Sequence, residues 1–156
     1  AMTPAFFMSF VLTYGYSVDG GAIAAKVSAI GESRTLGYQE NGIGGWFTIF
    51  IRGMLCNWMV SMGVVGAMIS TSAGSKMAAM WMPVMLFFFM GFEHSIVNMF
   101  LFPFSMIMGG DFTVYDYLVW NEIPTVLGNL AGGLCLVGLP LYYTHVKTSP
   151  ERKLSK

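Results

Sequence analysis

The sequence predicts an all-α integral membrane protein in which one long central helix breaks at a polar patch. Three observations carry this. Hydrophobic residues make up 55% of the chain and charged residues only 10%, with mean hydropathy +0.63, whereas a soluble domain carries about 25% charged residues. The charges cluster, leaving apolar stretches at about 3–18, 46–70, 77–108 and 120–144. Finally, the run GFEHSIVNMFLFP at 91–103 sets an acid, an imidazole, a serine and an asparagine inside the third stretch.

A membrane span takes roughly 20 apolar residues at 1.5 Å each to cross about 30 Å of hydrocarbon. The first stretch is short, begins at Ala1 without an initiator methionine and lacks the flanks of a signal peptide. It is shorter than a full span, and the chain reads as the C-terminal part of a longer protein. The glycine-rich, mixed-charge segment 19–45 reads as an exposed connection with a short helix near 21–30. The second stretch is a full span.

The third stretch, 77–108, would run about 48 Å as one helix, well past the hydrocarbon core. A steep tilt is one solution and a break the other. Gly91 beside the polar cluster, then Pro103, then Gly109 and Gly110, favour the break. Irregular backbone at membrane depth is tolerated where it is buried in protein or lines a cavity. A break there also turns backbone N–H groups, with the positive end of a half-helix, toward an anion. The following run DFTVYDYLVW alternates polar and apolar residues, as a segment lying along the interface does. In the fourth stretch, Gly128 and Gly132 form a GxxxG extended by Gly133, a pattern that lets helices approach closely.

Lys147, Arg152, Lys153 and Lys156 follow the last stretch, so the tail 145–156 is expected on the cytoplasmic side. The connection 109–119 holds Asp111 and Asp116 but no lysine or arginine, which places it outside. Lys76 then falls inside and 19–45 outside. Trp46, Trp81, Trp120, Tyr142 and Tyr143 sit near expected span ends, as an aromatic belt does.

Within 77–108 the titratable groups are Glu93 and His94. Ionisable groups at membrane depth are costly and mark paths for polar solutes. A neutral imidazole donates a hydrogen bond to an anion or hands it a proton, which mutes the charge of a small weak acid in an apolar pore. Glu93 is expected to anchor the break through backbone N–H groups. Asn98 lies one turn after His94, while Asn57 and Asn129 are central to their own stretches, so each of three spans brings an amide to similar depth. The alternatives are a histidine satisfied by one interhelical bond and asparagines that only join helices. Phe87, Phe88 and Phe89 offer an apolar constriction beside the patch, although lipid-facing or core packing is the reading the sequence alone favours for any one of them.

Other function classes find little support. Net charge is zero with no basic patch, which argues against nucleic-acid binding. Cys56 and Cys135 lie alone in their spans, and pairs such as Met59/Met62 and Met82/Met85 are better explained by packing than by copper. His94 is central and His145 peripheral, so they cannot flank one haem. No cofactor, metal or enzymatic array is expected.

GFEHSIVNMF, with RGMLCNWMV before it and NEIPTVLGNLAGG after it, resembles the formate/nitrite transporter family in order and spacing over nearly the whole chain. The resemblance implies an aquaporin-like bundle of two inverted three-helix repeats, with a six-helix protomer about twice this length and five protomers in a ring. The first stretch then matches the end of the third family helix. The others match helices four to six, the fifth being broken at its EH motif.

On the same basis His94 matches the central pore histidine, Glu93 the acid before it, and Asn98, Asn129 and Asn57 pore-region asparagines. Phe87 and Val60 match apolar constriction residues. The implied function is passage of formate or nitrite with protons across the bilayer. Hydrosulfide, acetate or lactate passage, or a non-transporting membrane subunit, are the alternatives. Two departures stand out. The first-half helices, whose loop supplies a threonine facing the histidine, are absent from this chain. The lysine that some members carry ahead of the fourth helix is also missing near Asn41, with Arg34 or Arg52 as candidate substitutes.

Overall fold

The computed structural model describes residues 2–15 and 20–148, and every regular element among them is helical. The expected end of the first stretch at 16–18, Asp19, and the tail charges Arg152, Lys153 and Lys156 lie outside the described residues. The helices are α1 (Met2–Gly15), α2 (Gly20–Ser33), α3 (Leu36–Gln39), α4 (Gly42–Ile69), α5 (Ala73–Phe89), α6 (Ser95–Ile107) and α7 (Val114–Lys147).

The α4–α7 pair is the spine of the fold, and its closeness follows from small residues. A Cβ on Gly128 would strike the Phe50 carbonyl, and one on Gly132 the Met54 carbonyl. Gly53 of α4 meets Thr125 and Asn129 in return. The GxxxG thus seats α7 directly on the α4 backbone, the approach such motifs permit. On its other side α4 carries α5, with Gly63 and Gly66 facing Ala79 and Pro83.

Helix α7 is continuous but widens over Leu118–Glu122, Leu134–Gly138 and Tyr143–Lys147, where the turns take the i→i+5 pattern. The first two have a visible cause. Pro124 and Pro140 have no N–H, and their rings crowd the carbonyls four residues back, at Trp120 and Leu136; both carbonyls lie in the widened turns. Within the widening at Leu118–Glu122 the consecutive residues Asn121 and Glu122 are both buried.

The segment expected as an exposed connection is instead packed structure. Helix α2 lies on α6, where Ser28 Oγ donates to the Met108 carbonyl at 3.2 Å and Ser105 Oγ to the Ser28 carbonyl at 3.4 Å. Gly31 is pressed against Ser105 and Phe112, and Thr35 is fully buried. Nor does DFTVYDYLVW lie flat. Thr113 and Asp116 cap each other and start α7, while Phe112 and Tyr117 are buried with Phe102. A neighbouring cluster joins Ala5 of α1 to Phe104 of α6.

The long third stretch is broken, as its length demands. Helix α5 ends in a Schellman motif: Phe92 N–H donates to the Phe87 carbonyl at 3.0 Å and Gly91 N–H to the Phe88 carbonyl at 3.1 Å. This needs a left-handed residue at 91, and Gly91 has φ +64°. Pro103, by contrast, sits inside α6 without ending it. Large apolar side chains stay exposed along α1, α4, α5 and α7, among them Phe7, Trp58, Trp81 and Leu130. Apolar surface on this scale belongs against lipid or further helices rather than water.

Candidate functional site

The break places His94 at the N-cap of α6. Its Nδ1 accepts the Ile96 N–H at 3.3 Å. A ring nitrogen that accepts carries no proton, so the neutral imidazole holds its proton on Nε2. His94 is half-buried, and the buried ring of Phe87 lies 5.9 Å from it, centroid to centroid. Phe87 also lines a pocket of about 410 Å³ whose walls include Phe88, Phe92, Val97 and the Arg34 side chain. The aromatic ring therefore touches both the imidazole and a chamber bearing a cation.

Asn129 holds this geometry from α7. Its Oδ1 accepts from Ser95 N–H at 3.1 Å and Ser95 Oγ at 3.3 Å. Its Nδ2 donates to the Glu93 carbonyl at 3.0 Å and the Gly53 carbonyl at 2.9 Å. One amide thus pins the residues on both sides of His94 to α4. Asn57 donates to the Asn129 carbonyl at 2.6 Å and remains half-buried. Val60, one turn further along α4, is also half-buried.

Asn98 and Glu93 belong to a second, fully buried set. Glu93 Oε2 accepts from Asn98 Nδ2 at 3.0 Å, from Asn121 Nδ2 at 3.4 Å and from Arg34 Nη1 at 3.5 Å. Asn98 Nδ2 also donates to Asn121 Oδ1 at 2.6 Å, and Asn121 Nδ2 to the Arg34 carbonyl at 2.8 Å. Glu93 was expected to take backbone N–H groups; its carboxylate is met by side-chain donors instead, and three elements converge on it. Arg34 is thereby paired, and Arg52 donates to the Tyr38 hydroxyl. Of the three amides expected at one depth, Asn57 and Asn129 are bonded to each other, while Asn98 belongs to the carboxylate set.

Sequence reasoning did not single out Asn121, Glu122 or Tyr117. The signal was present for Glu122, an ionisable residue inside an apolar stretch. The buried Tyr117 hydroxyl donates to Glu122 Oε2 at 2.9 Å.

The fold is that of a helical membrane protein, with two described helices long and apolar enough to cross a bilayer and a third apolar stretch broken at a polar patch. The family model for the formate/nitrite transporter matches residues 2–143. The chain belongs to that family. It is 36% identical over 141 residues to a formate-nitrite transporter of Entamoeba histolytica, covering 88% of this chain and 38% of that protein. It is 30% identical over 136 residues to the nitrite transporter NirC of Escherichia coli, covering 86% and 49%. Among solved structures it matches a pentameric formate channel with formate bound at TM-score 0.69 and 25% identity, over 92% of this chain and 61% of that one. The chain spans less than half the length of both these sequence relatives.

Proposed function

We propose that this chain supplies one half of a passage for small monovalent anions, formate or nitrite, with His94 as the hydrogen-bond and proton donor. The observation that carries the reading is the cap: with Nδ1 committed to Ile96, the imidazole offers Nε2–H at the only break in the third apolar stretch among the described residues. A weak-acid anion meeting that donor has its charge muted or takes the proton, and crosses the apolar part as a near-neutral species. No bond in the solute other than O–H is made or broken, so the activity is passage and not catalysis.

Each neighbouring residue has a place in this reading. Phe87 is the apolar constriction on one side of His94, and Val60 that on the α4 side. Asn57 borders the path with its half-buried amide. Asn129, Asn98 and Glu93 hold the break in shape, and Arg34 presents positive charge to the chamber behind Phe87. The related solved structure, named as a pentamer, supports five-fold assembly in the bilayer, with the upstream half completing each path. The lysine and arginine distribution supports a cytoplasmic C-terminus.

Radiolabelled formate uptake into proteoliposomes containing the whole assembled protein, with nitrite as competitor, tests this. Uptake that nitrite blocks and that rises as external pH falls is expected. Uptake no greater than that of empty liposomes would overturn the reading.

A further inference from the structure

The buried polar set around the break is short of donors. Both N–H groups of the Asn98 amide are used, on Glu93 and Asn121, and those of Asn121 are used on Glu93 and the Arg34 carbonyl. The Tyr117 hydroxyl is spent on Glu122 and the Thr125 hydroxyl on Asn121 Oδ1. Three buried acceptors are left over: Glu93 Oε1, Asn98 Oδ1 and Glu122 Oε1. All are enclosed by this chain's own atoms, so further helices added outside do not reach them.

The charge count has the same imbalance. Two carboxylates are buried here, Glu93 at 0% and Glu122, next in sequence to Asn121, at 6% exposure, against the one guanidinium of Arg34. A buried charge without a counter-ion is far costlier than a neutral, hydrogen-bonded group. One proton removes one negative charge and turns one surplus acceptor into a donor. Its place follows from the partners. Glu93 Oε2 receives a guanidinium and two amide N–H groups, while Glu122 receives a single phenol O–H and no cation.

We infer that Glu122 is a proton-binding site distinct from His94, occupied at neutral pH, and that losing this proton under alkaline conditions loosens the break. The other titratable groups on the elements around Glu122 are otherwise engaged or buried. Arg34 serves Glu93, Arg52 and Tyr38 serve each other, Cys56 is buried in α4, and Asp116 caps Thr113 at the surface. Asn121 links the cluster to the α2–α3 junction, Asn98 to α6 and Glu93 to the residue before His94. A second negative charge there therefore strains the segment that holds the imidazole.

The test is infrared difference spectroscopy of the whole protein in a pH titration, paired with thermal stability of wild type and Glu122→Gln. Neither readout requires transport, so a failure of anion passage and a failure of this inference are separate outcomes. A protonated-carboxyl band that disappears in Glu122→Gln is expected, together with stability that falls with rising pH in wild type and stays level in the variant. The sign is fixed by linkage: a native state holding a proton that the unfolded chain has released loses stability as pH rises. An acid band unchanged in Glu122→Gln overturns the inference. So does a variant that fails to assemble at neutral pH, since glutamine replaces a neutral acid nearly isosterically. Stability that follows sodium concentration and not pH also overturns it, in favour of a bound monovalent cation. As a second readout, Tyr117→Phe is expected to shift the acid band by removing its one donor; an unmoved band counts against the assignment.

Discussion

Replacing Asn129 by alanine tests whether the break is held or merely permitted. The side chain accepts from Ser95 N–H at 3.1 Å and donates to the Glu93 carbonyl at 3.0 Å, and both groups flank His94 in non-helical or first-turn backbone. The Gly53 carbonyl, also served by Asn129, lies inside α4 and has helical partners, so it counts for little. Two buried backbone groups lose a partner, at about 1–3 kcal/mol each, or about 2–6 kcal/mol together. Interhelical side-chain bonds measured in membranes average only about 0.6 kcal/mol, which argues for the lower part of that range. The cost exceeds that of an ordinary interhelical bond because one amide serves both groups at once. Thermal unfolding in detergent, followed by size exclusion, reads the stability, and formate uptake reads the placement of His94. Loss of both is expected, with Asn129→Asp worse still, because a carboxylate there faces two carbonyl oxygens. An Asn129→Ala protein with unchanged melting and unchanged flux would refute the clamp.

Two further perturbations follow from the same geometry. Gly91→Ala forces a Cβ into φ +64° and is expected to cost about 1–2 kcal/mol, with Gly91→Asn milder; thermal melts of the three proteins give the ranking. Arg34→Gln leaves Glu93 with amide donors alone and is expected to cost about 2 kcal/mol, less than the roughly 3–5 kcal/mol of a fully buried pair, because Arg34 is 25% exposed. The double variant with Glu93→Gln is expected to recover part of that loss, which a double-mutant cycle measures.

Much of the fold was legible because its signals are local. Stretch length left a tilt or a break in 77–108, the polar patch favoured the break, and Gly91 is the residue type that a left-handed helix terminus requires. Gly128 and Gly132 announced close packing but not that the neighbour they face is α4, whose Gly53 meets Thr125 and Asn129 in return. The segment 19–45 was harder. Its glycines and mixed charges match an exposed connection, and nothing local shows that Gly31 fits against Ser105 or that Arg34 crosses to Glu93, 59 positions away. The burial of Asn121 and Glu122 together was also hidden, since nothing local shows what they pack against; both lie in the widened turn ahead of Pro124, at whose presence only the proline hinted. For the candidate site, a break at the polar run was readable, whereas the place of His94 as the N-cap of α6 and the division of the asparagines into a clamp and a carboxylate cage depend on the folded geometry.

The most direct measurement is formate flux through proteoliposomes containing the His94→Asn protein. Asparagine is a strong N-cap, so α6 keeps its start and the assembled protein is expected to form, as size exclusion will show. The shorter amide withdraws the Nε2–H donor, and flux is expected to fall by about 100-fold or more, within the range that a lost proton donor costs. Wild-type formate flux in an assembled His94→Asn protein would contradict the assignment of the imidazole as the donor on which passage depends.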